Sequence, residues 1–238
     1  MGIVHEVCDQ IAPALWVYAE DREQASHKGA VFFYHGLGSA KEQSLKELES
    51  LAAHGFLAIG IDNRGHGARR YADFEARFSG ENPDFGSELI AAVRATAAEL
   101  PHLIDAYLAE GWIQPEKLGL VGVSMGGYIA YAAILAEPRL KAVSVILGSP
   151  YWRESPAESP AHRPERFFPC ALLSQNAGQD QAVPAQFARD FHQALQTYYA
   201  QAPERLAYFE YPESGHFMRE EDWDLCWQRS ISWFENNL

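Results

Sequence analysis

The chain has 238 residues, 47% of them hydrophobic, with 32 acidic against 19 basic side chains and a formal net charge of −13. That length and apolar content fit one globular domain over residues 1–238 with a sizeable core, and exclude a disordered chain. The acidity repels phosphate backbones and anionic headgroups, so neither nucleic acid nor membrane is an expected partner. At the start of the chain, MGIVHEVCDQ lacks the basic segment and apolar run of a secretory signal. No later stretch is apolar for long enough to span a bilayer.

The first strong element is AVFFYHG, residues 30–36, an apolar run ending in glycine that reads as a buried strand. Ser39 and Glu42 have capping-box spacing ahead of Leu45, Leu48 and Leu51 at helical intervals, and Gly55 stops that helix. FLAIGID, residues 56–62, is the next strand. Ser87 is placed to cap a long helix through Leu89, Val93, Leu100 and Tyr107, which Pro101 should kink or split. Strand KLGLVGV is followed by a helix over 125–137 that Pro138 closes. KAVSVILG and CALLSQN are further strands. Pro184 suits the first turn of a helix bearing Phe187, Phe191 and Leu195. RLAYFEY is the last strand, and Trp223, Trp227, Ile231 and Phe234 mark a last amphipathic helix. Apolar strands alternating with helices give an α/β fold, a mostly parallel central sheet with helices on both faces. Ligands of such sheets bind at the carboxyl ends of the strands, which directs attention to the following loops.

Two connections are long. Residues 63–86 carry Tyr71, Phe74, Phe78 and Phe85; residues 149–169 carry four prolines with Tyr151, Trp152, Phe167 and Phe168. Loops of this length tend to be functional, and both are expected to form a short lid or pocket wall. Tyr151, Trp152, Phe167 and Phe168, together with His35, are the candidate substrate-pocket residues.

The chemistry concentrates at GVSMGG. Ser124 stands between a strand and a helix in the pattern Gly-x-Ser-x-Gly, with glycines at 122, 126 and 127. A serine at such a corner adopts a strained backbone that lifts its hydroxyl above the sheet, while the glycines let strand and helix approach. The Met125 amide opens the helix, where the helix dipole assists it in holding an oxyanion. A serine hydroxyl needs a base, and a carboxylate and a histidine are expected to follow in that order. Asp180 follows one strand and His216 follows the last, so Ser124, Asp180 and His216 form a candidate triad. HGLG, residues 35–38, follows an early strand and supplies the second oxyanion amide, that of Leu37, with His35 organising the loop. His66 precedes the serine and is the poorer base; Arg64, Arg69 and Arg70 read as partners of surface acids. Cys8, Cys170 and Cys226 show neither disulfide nor zinc spacing, and no phosphate loop or dinucleotide fingerprint occurs. Reduced thiols in a cytoplasmic protein, without metal or cofactor, are expected.

HGLG, DNRGHG, GVSMGG, GQDQAVP and SGHF, spanning residues 35–217, resemble the α/β-hydrolase superfamily. The likeness is to its small single-domain serine esterases, of the dienelactone hydrolase-like and prolyl-oligopeptidase-like types. It implies the α/β-hydrolase fold, Ser124, Asp180 and His216 as the triad, and Leu37 and Met125 as the oxyanion amides. Dienelactone hydrolases proper place cysteine at this corner, whereas this chain has serine, and no propeller domain is present. The expected activity is hydrolysis of a small-molecule carboxylic ester of a small acyl group through an acyl-enzyme. A thioester or peptide-like amide suits the same triad, and a non-catalytic binding scaffold is the remaining alternative. The mechanism requires a neutral imidazole, so activity falls on the acid side of the histidine range.

Overall fold

A computed structural model describes residues 2–8 and 10–238. In chain order the elements are β1 (Ile3–Cys8), β2 (Ala14–Ala19), α1 (Arg22–Lys28), β3 (Ala30–Tyr34), α2 (Leu45–Ala53), β4 (Leu57–Ile61), α3 (Phe74–Arg77) and α4 (Phe85–Ala109). Then come β5 (Leu118–Val123), α5 (Met125–Ala136), β6 (Ala142–Ile146), β7 (Ala171–Ala177), α6 (Ala185–Leu195), β8 (Leu206–Tyr211) and α7 (Glu220–Asn237). The strands make one eight-stranded sheet in the order β1-β2-β4-β3-β5-β6-β7-β8. β1 and β2 pair antiparallel at one edge; from β4 onward every pair is parallel.

The continuous apolar runs follow from burial on both faces. In β3, Phe32 and Tyr34 enter one core while Val31 and Phe33 enter the other, as the two-residue period of a strand requires. The first core takes α4, α5 and α6 through side chains such as Leu100, Ile129 and Phe191. The second takes α2 and α7 through Leu48, Leu51, Ile231 and Phe234. α5 is buried along nearly its whole length, which explains its unbroken apolar sequence.

Several local expectations are corrected. The pairing of Ser39 with Glu42 does not form: Ser39 donates to Gln43 instead, and a short 3₁₀ turn over Lys41–Ser44 precedes α2. That turn is held by Asp62, which accepts from the Lys41 amide at 2.9 Å and the Lys41 ammonium at 2.8 Å. Ser87 lies inside α4, which begins at Phe85 after Asp84. Pro101 does not split that helix. The missing hydrogen bond and the ring's clash with the preceding turn together cost about 3 kcal/mol, and the completely buried Leu100, Leu103 and Ile104 around it offset that cost by packing on the sheet. The β1–β2 hairpin and α1 are additions that the reading of the sequence did not place.

The 149–169 segment folds into three 3₁₀ turns, each opened by a proline, at Pro156, Pro160 and Pro164. It lies on the first core. Trp152 and Phe167 are buried, and the Phe167 ring packs 4.9 Å from Phe191. Phe168 meets Tyr199 edge-on at 5.4 Å. Among the described residues no helix is long and apolar enough to cross a membrane.

Candidate active site

Ser124 occupies the corner between β5 and α5 with φ +56° and ψ −116°, a conformation that a non-glycine residue adopts only when its surroundings enforce it. The enforcement is visible. The Ser124 amide donates to Ile146 O at 2.9 Å, and its carbonyl accepts from Gly127 at 2.7 Å and Tyr128 at 3.2 Å. Leu147, at the end of β6, also has a positive φ, +54°, and lines the same cleft.

The loops after β7 and β8 are bonded to each other. Gly178 N donates to Tyr211 O at 2.8 Å and Gln179 N to Ser214 O at 2.9 Å. A Cβ on Gly178 would lie 2.8 Å from Pro212 Cα, so only glycine permits this approach. The pairing carries Asp180 to the side of His216. Asp180 Oδ2 accepts from His216 Nδ1 at 2.7 Å, and Oδ1 accepts from the Ala182 and Val183 amides, both at 2.9 Å. With the proton of the neutral imidazole on Nδ1, Nε2 is the acceptor, and it stands 2.9 Å from Ser124 Oγ. Ser124, His216 and Asp180, 92 and 36 positions apart in the two contacts, thus form one continuous chain of hydrogen bonds.

The HGLG loop lies against this chain: a Cβ on Gly36 would be 3.6 Å from Ser124 Cβ. Leu37 and Met125 both line the cleft with Ser124, and among the described residues neither amide has an intramolecular acceptor. His35 does not line the cleft. It is buried beneath the loop, donating from Nδ1 to Gly36 O at 2.8 Å and accepting at Nε2 from the Asn63 amide at 3.2 Å. It therefore straps the loop to the chain leaving β4. Burial pushes the His35 imidazole down to about 4.

The cleft encloses about 520 Å³. Its walls come from Phe85 and Leu89 of α4, Tyr128 of α5, Val183 after β7, and Phe217 and Trp223 beyond β8. Trp152, Phe167 and Phe168 are absent from it because the proline turns fold them into the core. Tyr151 stacks on Phe187 at 5.1 Å in an adjoining hollow. Of the two long connections, the one ending at Phe85 contributes the wall. Tyr128, four residues after Ser124 on the same helix face, and Phe217, directly after His216, were findable by position alone. Leu147 and Val183 carry no such signal.

The remaining candidates fall outside the cleft. Arg69 and Arg70 pair with Glu99 at 2.7 Å and Glu75 at 2.6 Å, and Arg64 pairs with Glu99. His66 is buried against Phe74 and Phe78. The three cysteines are free, and the described residues include no group of three or more His, Cys, Asp or Glu suited to a metal ion.

Buried histidines make stability depend on pH. Burial lowers His35 to about 4 and His192, which bonds Ser174 at 2.7 Å, to about 3, both from 6.5. Between these values the unfolded chain binds protons that the folded one refuses. Their contribution is therefore complete above pH 6.5 and is lost as pH falls toward 4. Urea unfolding at pH 5 should show a stability lower than at pH 7 by about 2 kcal/mol for each of the two imidazoles. His192→Gln should flatten its share of that slope; an unchanged slope would contradict the assignment.

Fold and site together define a member of the α/β-hydrolase superfamily. More narrowly, residues 25–176 match the family described as "Serine aminopeptidase, S33", and the chain belongs to that family. It is 25% identical to YitV of Bacillus subtilis (strain 168), named as a candidate esterase, over 91% of this chain and 93% of that protein. Among solved structures, TT1662 from Thermus thermophilus superposes with a TM-score of 0.84 at 22% identity, covering 99% of this chain and 98% of that one. The acylaminoacyl peptidase of Pyrococcus horikoshii superposes at 0.69 with 17% identity, over 100% of this chain and 42% of that one.

Proposed function

We propose that the protein is a serine carboxylesterase. The observation that carries this reading is the run of contacts from Ser124 Oγ to His216 Nε2 at 2.9 Å and from His216 Nδ1 to Asp180 Oδ2 at 2.7 Å. Ser124 Oγ attacks the ester carbonyl carbon as its proton passes to His216 Nε2. The carbonyl oxygen becomes an oxyanion held by the Leu37 and Met125 amides. Asp180 keeps the imidazole in the tautomer that accepts and stabilises the imidazolium. The carbon–oxygen bond to the alcohol then breaks, and the leaving oxygen takes the proton from Nε2. Water enters, gives a proton to Nε2 and attacks the acyl-serine; the carboxylic acid departs and Ser124 recovers its proton. No metal or cofactor takes part in these steps.

The name of the Bacillus relative supports an ester, while the family description supports an N-terminal peptide bond. A free α-ammonium asks for a carboxylate beside the scissile bond. The carboxylate bonded to the cleft's histidine, Asp180, is already engaged by His216 and two amides. That favours the ester. Glu154, in the adjoining hollow, is the group that an aminopeptidase reading would use. Assays of p-nitrophenyl butyrate, butyryl-coenzyme A and alanine p-nitroanilide separate the classes. The ester should be turned over with kcat/KM at least about 100-fold above the other two: the anilide has the poorer leaving group with no compensating recognition, and the polyanionic coenzyme A is repelled by a chain of net charge −13. Preferential cleavage of the anilide would overturn the reading. We further place the enzyme in the cytoplasm, where its three free thiols stay reduced.

A further inference from the structure

The cleft is unlike the rest of this acidic surface. None of its lining residues is Asp, Glu, Lys or Arg. Tyr128, whose hydroxyl burial pushes up to about 12, stays neutral. The walls at Phe85, Leu89, Val183 and Trp223 are apolar. Two charged side chains, Arg153 and Glu154, line a separate hollow of about 230 Å³ that shares the wall of Phe85, Leu89 and Tyr128. Away from the oxyanion amides, a carboxylate or ammonium carried against the cleft's own walls would lose its water and gain no partner of opposite charge.

Phe217 stands at the mouth of this cleft. Its exposure is 96%, against 65% for Val7, the next most exposed large apolar side chain among the described residues. Its ring lies edge-on to that of His216, centroids 5.9 Å apart. His216 is held at both ring nitrogens by Ser124 and Asp180, so the backbone that carries the following residue starts from an anchored point beside the cleft. An aromatic ring held in water at the lip of an uncharged pocket has no folding role to explain it. It does have one in binding, because an apolar group emerging from the pocket would cover it.

We infer that the substrate carries an uncharged apolar group, longer than the cleft is deep, and that Phe217 is the specificity-determining residue that grips its outer end. The inference rests on the esterase reading for its chemistry and deepens it by naming the substrate class. The apolar group belongs to the acyl or to the alcohol side of the ester, and the chemistry of recognition is the same for both.

The test uses the intact chain and ratios of kcat/KM. On the acyl side, p-nitrophenyl hexanoate is compared with the acetate, with the 5-carboxypentanoate and with 6-aminohexanoate. On the alcohol side, hexyl acetate is compared with methyl acetate. The wild type should prefer the neutral six-carbon acyl chain to its charged counterparts by about 100-fold. Phe217→Ala should lower the six-carbon to short-chain ratio about tenfold in one arm, mainly through KM, and Phe217→Leu should restore most of it. The arm that changes identifies the side of the ester. Charged acyl chains cleaved as fast as neutral ones together with no preference for hexyl over methyl acetate, or ratios indifferent to Phe217 in both arms, would overturn the inference. Calorimetric titration of the Ser124→Ala variant with 2-octanone and 2-butanone separates this from failure of the esterase reading. Tighter binding of the longer ketone without ester turnover by the wild type sinks the esterase reading alone. Ester turnover without chain-length preference sinks this inference alone.

Discussion

Ser124→Ala is expected to fold as the wild type does and to hydrolyse p-nitrophenyl butyrate roughly 10⁴- to 10⁶-fold more slowly. Among the described residues the serine hydroxyl combines an acceptor for its proton, His216 Nε2 at 2.9 Å, with a place beside two amides that have no internal acceptor. Removing it leaves the imidazole–carboxylate pair intact but nothing to form the acyl intermediate. Residual hydrolysis comes from the amides and from binding alone. Alanine is also tolerated structurally, because no backbone bond at position 124 involves the side chain. Steady-state kinetics and a thermal melt on the same preparation check both halves. A variant with wild-type turnover would remove Ser124 from the reaction.

The second large effect concerns the corner itself. Gly126→Ala should cost at least about 4 kcal/mol, lowering Tm by about 10 °C and abolishing activity. A Cβ at Gly126 meets the backbone oxygen of Tyr34, and one at Gly122 meets the backbone oxygen of Gly126, both far inside van der Waals contact. Neither clash can be relieved by turning a side chain. β3 and the start of α5 would have to separate, and this is the contact that sets Ser124 beside the HGLG loop. At Gly127 the nearest atom to an added Cβ is Gly148 Cα at 2.7 Å, so alanine there should be harmful as well. A Gly126→Ala protein that melts and turns over like the wild type would show that the corner tolerates a rearrangement this packing excludes.

The uneven legibility of the chain has physical causes. The buried parallel strands were readable because double-sided burial demands unbroken apolar runs, and AVFFY and LAIGI have them. The corner was readable because a hydroxyl at a strand-to-helix turn needs glycine around it, as Gly122 and Gly126 attest. Asp180 and His216 were readable because each follows a strand in an order that the topology constrains. β1 was missed because it lies at the sheet edge with none of its residues buried, and its sequence, Ile-Val-His-Glu-Val-Cys, has neither an unbroken apolar run nor a two-residue alternation. The pocket wall was misassigned to Trp152, Phe167 and Phe168 for a different reason. Composition marks a proline-rich aromatic segment as stiff and apolar, yet says nothing about which way it turns. Here the segment folds onto the core in three successive 3₁₀ turns, with Phe167 on Tyr131 and Phe191, Phe168 on Tyr199 and Trp152 buried, all away from Ser124. The capping box failed because a local pair competes with a distant one, and the buried Lys41–Asp62 ion pair, 21 positions apart, is the stronger.

The central claim is that Ser124 is an activated nucleophile. Incubating the folded protein with a fluorophosphonate and mapping the adduct by peptide mass spectrometry tests it most directly. One stoichiometric phosphonyl group on Ser124 is expected, its formation slowed by at least about 100-fold in His216→Ala. Absence of the adduct, or its appearance at another residue with Ser124 unmodified, would remove Ser124 as the nucleophile.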